Sequence, residues 1–206
     1  LLLASLAGTL GYGVFTLLGM AIFHLRKRWM LARPGDTVYA FASLPPEEET
    51  AAGGKGRVLA KLYRMDFPVP DGCILLPGAF TGDEISDEAW EKVKKQCSRL
   101  RRGKQVAFAV RSSAQSEDSA QASFAGEFES VLGVRTDAEI RDAIRVVLQS
   151  RHSARVQSYS QAQGLGHAYH PIAVIIQVFI QADYSGVLFT VDPLTGSQMQ
   201  MTGNFV

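Results

Sequence analysis

Short apolar runs of strand length are interspersed with two amphipathic segments between residues 51 and 206, and this mixture limits the fold more than any other feature. The runs are Cys73–Leu76, Val106–Val110, Phe128–Val134, Ile172–Ile180 and Gly186–Val191. The amphipathic segments, which extend to about residues 101 and 150, each begin at a capping box, Thr81 with Glu84 and Thr136 with Glu139. Because helices and strands do not alternate strictly, the pattern predicts an α+β sheet domain rather than a helical bundle.

A glycine-rich turn precedes the first helical pattern of this region. Residues 51–56 are AAGGKG, and the apolar residues of the following segment, 57–65, recur at helical spacing. Glycines let backbone N–H groups approach phosphate oxygens, a helix start favours negative charge, and Lys55 adds a point charge. The spacing is not that of a P-loop. These residues alone leave two alternatives open, a phosphate-binding turn and a simple turn at a helix start.

Arg111 follows the strand predicted at residues 106–110 and precedes a small-residue, polar stretch at residues 112–122 that is predicted to be a loop. A guanidinium at this position can grip a phosphate through two parallel hydrogen bonds, with Ser112 and Ser113 assisting. The alternative is a structural ion pair with Glu117 or Asp118.

Three blocks of the chain occur in an order that carries a family resemblance: GGKGRVLAKLYRMDFPVPDG, VAFAVRSSAQSEDSAQASFAGEFESVLGV and IAVIIQVFIQADYSGVLFTVDPLTG. They resemble the nucleotide-binding domain of the phosphoenolpyruvate synthase and pyruvate phosphate dikinase family, to which the rifampicin phosphotransferases are related. The blocks extend from about Gly53 to Gly196. The resemblance implies an ATP-grasp-like fold, incomplete at its C-terminal end, that serves as the ATP-binding part of a phosphotransferase.

The resemblance also implies roles for individual residues. Lys55 and Arg111 match the lysine and arginine that bind phosphate in the family. Gly126 and Ser130 match its glycine-rich loop contacts, and Ser130 keeps a hydroxyl where a threonine is common. From the residues alone, Gly126 and Ser130 also fit a hairpin turn and an ordinary strand position.

Two more positions lie in the third block. Gln177 matches a glutamine on the nucleotide side of the cleft, although by itself it would pass for a polar residue on a half-buried strand. Asp192 lies in the family signature FTVDP, and the alternative for it is an aspartate that caps a turn before Pro193.

The family mechanism implies ATP and Mg²⁺ as cofactors, transfer of the β-phosphoryl group through a histidine in a separate domain, and pyruvate as the acceptor. An antibiotic or other hydroxyl compound is the alternative acceptor, and a non-catalytic ATP-sensing module of a membrane protein is the alternative function. The residues that complete the ATP and metal site follow the FTVDP block in the family, so the metal ligands are expected beyond Val206. No catalytic residue is assigned, because no histidine has the context of the phosphorylated one: His24, His152, His167 and His170. We therefore expect the chain alone to be inactive.

Residues 1–23 contain no charged side chain, and as a helix they would extend roughly 35 Å, enough to cross a membrane. The basic residues that follow, with Trp29 beside them, predict that the rest of the chain faces the cytoplasm. A secretory signal peptide and a buried soluble helix are the alternatives. Residues 24–50 are predicted to be a basic juxtamembrane segment and a proline-rich linker, with the nucleotide-binding domain at 51–206.

Charge and cysteine content exclude other classes of function. A formal net charge of +1 gives no electrostatic case for binding nucleic acid. Cys73 and Cys97 lack the spacing of a zinc or redox motif, so reduced, inert thiols are expected. The chain begins with Leu1 rather than Met and ends within a predicted strand, so we expect it to be a fragment.

Overall fold

The computed structural model describes residues 35–114, 129–152, 171–192 and 194–206. Three α-helices and nine β-strands lie in these ranges, connected by four short 3₁₀ segments at residues 41–43, 46–48, 77–79 and 150–152. In chain order the helices and strands are β1 Val38–Ala40, α1 Gly53–Arg64, β2 Gly72–Leu75, β3 Phe80–Thr81, β4 Glu84–Ile85, α2 Asp87–Arg101, β5 Phe108–Ala114, β6 Ser130–Val134, α3 Asp137–Gln149, β7 Ile172–Val178, β8 Gly186–Phe189 and β9 Thr202–Phe205.

Five of the strands form one antiparallel sheet in the order β1-β2-β7-β5-β6, and two hairpins, β3-β4 and β8-β9, pair separately. Because successive side chains of a strand point to opposite sides, the sheet has two faces formed by different residues. Helices α2 and α3 pack on one face of the sheet, which is called the α2/α3 face. Helix α1 and residues 41–44 pack on part of the opposite face, which is called the α1 face. This arrangement confirms the predicted mixed α+β class.

The α2/α3 face carries the larger core. It buries Phe108 and Val110 of β5 together with Ile140, Ile144 and other apolar residues of α3. Both cysteines, Cys73 and Cys97, are free thiols buried in this core, and burial raises the pKa of Cys97 to about 11. The expectation of reduced, unreactive thiols is consistent with this position.

One of the two predicted capping boxes is confirmed. The Thr136 hydroxyl accepts a hydrogen bond from the Glu139 amide at 3.2 Å, and the Glu139 carboxylate accepts one from the Thr136 amide at 2.9 Å, so α3 begins as expected.

The other predicted capping box is wrong. Thr81 and Glu84 pair across the β3-β4 hairpin, whose turn is formed by Gly82, at a φ of 62°, and Asp83. A glycine followed by an aspartate suits a two-residue hairpin loop, and this local preference overrides the capping pattern. Helix α2 begins later, at Asp87, where the Ser86 hydroxyl accepts a hydrogen bond from the Ala89 amide.

Two segments predicted to be irregular belong to the sheet. Ser112–Ala114 continue β5, because each of these residues pairs with β7. Residues 38–40, in the predicted linker, form the edge strand β1 on β2, and Tyr39, Phe41 and Leu44 are buried on the α1 face. The folded unit therefore includes residues on the N-terminal side of Ala51.

The helices do not support the predicted membrane anchor. They contain 12, 15 and 13 residues, which correspond to roughly 18–22 Å, whereas a hydrocarbon core is about 30 Å thick. In the part of the chain that the structure describes, no helix is long and apolar enough to cross a membrane. The predicted location, a membrane anchor with its domain facing the cytoplasm, is corrected accordingly. Residues 1–23, on which it rested, lie outside the described ranges.

Candidate functional site

The glycine turn at the start of α1 packs directly on β5. Gly53 has a φ of 71°, and a Cβ atom added to it would lie 2.5 Å from the Ser113 carbonyl oxygen and 2.5 Å from its hydroxyl. No side chain fits there, and a positive φ disfavours any residue other than glycine. The glycines of the turn are buried and Lys55 is half-buried. The glycines therefore serve close approach of the turn to the sheet.

Ser113 fixes this approach through its side chain, which is 1% exposed. Its hydroxyl donates a hydrogen bond to the Ala52 carbonyl at 2.7 Å and accepts one from the Gly56 amide at 3.0 Å. These two backbone groups are the acceptor and donor that face each other across the first turn of an α-helix beginning at Gly53. One hydroxyl therefore attaches the start of α1 to β5.

Arg111 lies two residues before Ser113 on the same strand, so both side chains belong to the α1 face. It is half-buried and pairs with Ser130 of β6 on one side and Ile175 of β7 on the other. Among the described residues, no carboxylate is in ion-pair contact with its guanidinium. The predicted alternative partners, Glu117 and Asp118, lie outside the described residues.

Ser130 is an exposed residue directly opposite Arg111 across the β5-β6 pair. Residues paired in this way have Cβ atoms about 4.5–5.5 Å apart. The structure thus brings the predicted arginine and hydroxyl together on two strands that contribute no residue to the apolar core beneath α1. Gly126, predicted to contact nucleotide beside Ser130, lies outside the described residues.

Gln177 lies at the opposite end of the same face. It pairs with Ala109 of β5 and Gly72 of β2, is 7% exposed, and its amide nitrogen donates to the Pro70 carbonyl at 2.9 Å. Ala173, which pairs with Ser113, is four residues away along β7, or roughly 13 Å. Gln177 therefore shares a face with the glycine turn but does not contact it.

Asp192 is not part of this face. Its carboxylate accepts hydrogen bonds from the Leu194 and Thr195 amides at 2.8 and 3.0 Å, in the connection between β8 and β9. These backbone hydrogen bonds hold the pKa of the carboxyl below its usual value. The geometry is that of an aspartate capping a turn, which was the alternative to a ligand-binding role.

Among the described residues, no metal site lies on this face. The described residues include no group of three or more His, Cys, Asp or Glu placed to hold a metal ion. A cavity of about 310 Å³ lies between the end of α2 and the start of α3. Arg101 in its lining already bonds Asp137 and the Arg135 carbonyl, each at 2.7 Å. We therefore do not assign nucleotide to this cavity.

The structural role of Ser113 differs from the predicted one, which was that of an assisting hydroxyl at the start of a loop. The available signal was the alternation along β5. A buried serine two residues from Arg111 has to share its face once the strand is extended to Ala114.

Comparison with known proteins identifies the class to which this fold and face belong. Residues 76–206 match the family model described as pyruvate phosphate dikinase, AMP/ATP-binding domain. The chain belongs to this family, as its motif blocks predicted, and the ligand of the domain is an adenine nucleotide. The matched range includes Arg111, Ser130, Gln177 and Asp192, whereas Lys55 precedes it.

Individual relatives agree with this assignment. An uncharacterized phosphotransferase, YvkC, of Bacillus subtilis is 30% identical over 175 residues, which cover 75% of this chain and 21% of the relative. A probable phosphoenolpyruvate synthase of Methanothermobacter thermautotrophicus is 28% identical, with 80% and 31% covered. The prodigiosin synthesizing transferase PigC of Serratia marcescens is 38% identical, with 70% and 18% covered. The chain thus spans less than a third of the length of these relatives.

Proposed function

We propose that this chain is the ATP-binding part of a phosphotransferase, and that the phosphates of ATP bind between the glycine turn of α1 and Arg111. The observation that carries the proposal is the double hydrogen bond of Ser113, since it attaches the helix start to the strand that carries Arg111. A helix N-terminus and a guanidinium with no ion-pair partner among the described residues then border one surface. Both favour phosphate groups.

The same face offers a path for the rest of the nucleotide. Along the strands, Ser113 at the glycine turn, Arg111 and Gln177 follow one another at steps of two residues, or roughly 7 Å each, so the face continues from the turn past Arg111 to Gln177. We propose that the base lies toward Gln177, and that Ser130 and Gly126 contribute to the phosphate end. In this arrangement Gln177 also holds the Pro70 carbonyl at the border of the site.

Lys55 and Arg111 would act by neutralising phosphate charge, which is the main contribution a protein makes to phosphoryl transfer. We further propose Mg²⁺ as the metal partner of the phosphates, held by groups other than the described residues. The domain in this proposal has an ATP-grasp-like fold and includes β1, so it extends to the N-terminal side of Ala51.

For the acceptor we propose pyruvate, because a relative that covers much of the chain is named a probable phosphoenolpyruvate synthase. The similarity to PigC, a prodigiosin synthesizing transferase, favours a different small acceptor as the second candidate. The ATP-sensing alternative depended on the predicted membrane span. With that prediction corrected, no described feature favours it.

The test is ATP turnover and ATP affinity of the full-length protein with Lys55→Ala or Arg111→Ala. Loss of one charge-assisted phosphate contact removes about 1.5–3 kcal/mol, so each variant should be impaired roughly tenfold or more. Arg111→Lys should also be impaired, because lysine keeps the charge but loses the planar fork. Lys61→Ala, an exposed position near the end of α1, is the matched control and should behave as the unaltered protein. Unchanged ATP use in both charge variants would refute the proposal.

A further inference from the structure

We infer that Ser113 is a positioning residue that sets the phosphate-binding turn against Arg111, acting through the backbone of α1 rather than by touching ATP. This inference rests on the proposed function. It assigns a task to a buried hydroxyl that the motif comparison left without one.

The Ser113 hydroxyl is used both as a donor and as an acceptor in this contact. It satisfies the Ala52 carbonyl and the Gly56 amide at once, across sequence separations of 61 and 57 residues. The contact is also tight at Gly53, where an added Cβ would overlap Ser113. The backbone of the turn and the side chain of Ser113 are therefore in close contact.

Removing this oxygen would release the turn from β5 without removing a charge. The Ala52 and Gly56 groups would keep only each other, and the start of α1 would be free to shift relative to Arg111. A phosphate gripped by both elements needs their spacing to be fixed, because ordered geometry is part of the affinity of a charge-assisted contact. The base end of the site would be unaffected, since Gln177 is roughly 13 Å away along the strands.

The inference therefore predicts a phosphate-specific defect. In the full-length protein, Ser113→Ala should weaken ATP binding roughly five- to tenfold, the effect of losing one or two neutral hydrogen bonds. Adenosine, measured by competition, should bind as to the unaltered protein.

Ser112→Ala is the matched control. Ser112 is the neighbouring residue, is also 1% exposed and lies on the α2/α3 face, so its loss affects folding without reaching the turn. Its ratio of ATP to adenosine affinity should equal that of the unaltered protein.

The outcomes separate the two claims. If Lys55→Ala and Arg111→Ala weaken ATP binding while Ser113→Ala matches Ser112→Ala, or loses ATP and adenosine affinity equally, Ser113 has only a structural role and the proposed function stands. If both charge variants bind ATP normally, the proposed function fails, and the inference fails with it because no phosphate site remains to be positioned.

Discussion

The two faces of the five-stranded sheet are built from the same strands but differ in what covers them. On the α2/α3 face, two helices bury a continuous apolar core that includes Phe108, Val110 and Ile176. On the α1 face, a smaller core stops at β7, and β5 and β6 carry Arg111 and Ser130 beyond it. One face is completed by packing, whereas the other retains polar groups that packing does not cover.

Strand β5, which is seven residues long, contributes side chains to both faces and shows this difference. Phe108 and Val110 are fully buried against helices, while Arg111 and Ser113 alternate with them on the other side. If the proposed function is correct, stability and ligand binding depend on opposite sides of one strand. Substitution of Phe108 or Val110 should affect mainly folding, and substitution of Arg111 mainly nucleotide binding.

Phe108→Ala should give the largest effect. Truncating a fully buried phenylalanine removes apolar contacts and leaves a cavity, at a cost of about 3–5 kcal/mol in the free energy of unfolding. Arg111→Ala, three residues along on the other face, should cost less than about 1 kcal/mol. Urea denaturation measures the free energy of unfolding of both variants. Equal destabilisation by the two substitutions would contradict the separation of the faces.

Gly53→Ala should have the next largest effect. It should lower the free energy of unfolding by roughly 2–4 kcal/mol, because strain at a positive φ adds to overlap with Ser113. Gly133→Ala is the matched control. Gly133 also has a positive φ, of 79°, but a Cβ there meets nothing within 4 Å, so roughly 1–2 kcal/mol is expected. The difference in unfolding free energy between the variants isolates the contact with Ser113. If the two glycines tolerated alanine equally, the close approach of the turn to β5 would be in doubt.

Thr136→Ala should have a smaller effect, about 1 kcal/mol, because it removes the N-cap hydrogen bond of α3. Helix α3, which Thr136 caps, packs on the α2/α3 face. ATP affinity should therefore stay the same while the denaturation midpoint falls. A change in ATP affinity at unchanged stability would show that this face contributes to the nucleotide site.

The smallest effect concerns pH. Hydrogen bonds from the Thr136 and Arg135 amides lower the pKa of Glu139 below its ordinary 4.5. A carboxyl with a lowered folded-state pKa stabilises the protein above its unfolded value, and the contribution disappears as the pH falls through the lowered pKa. Glu139→Gln should therefore reduce stability at neutral pH and show a weaker decline in melting temperature below about pH 4.5 than the unaltered protein. An equal decline in melting temperature for the two proteins from pH 7 to pH 3 would show that folding does not lower the pKa of this carboxyl.

Prediction from sequence succeeded where the cause of structure is local. The capping box of α3 requires only residues three positions apart, and it formed as expected. The box predicted at Thr81 failed because a second local pattern, the Gly82-Asp83 turn, competes over the same residues. Strand β1 and the end of β5 were missed because each exists through pairing with a strand more than 30 residues away.

The candidate site divides in the same way. The motif blocks alone identified the family and named Lys55, Arg111, Ser130 and Gln177, since residue order and type are properties of the sequence. Only the tertiary structure decided that Arg111 and Ser130 are neighbours, that Gln177 lies at the opposite end of the α1 face from the glycine turn and that Ser113 joins the turn to the strand. The physical reason is strand register. It assigns each residue a face and a partner through contacts between distant parts of the chain, and no local pattern encodes them.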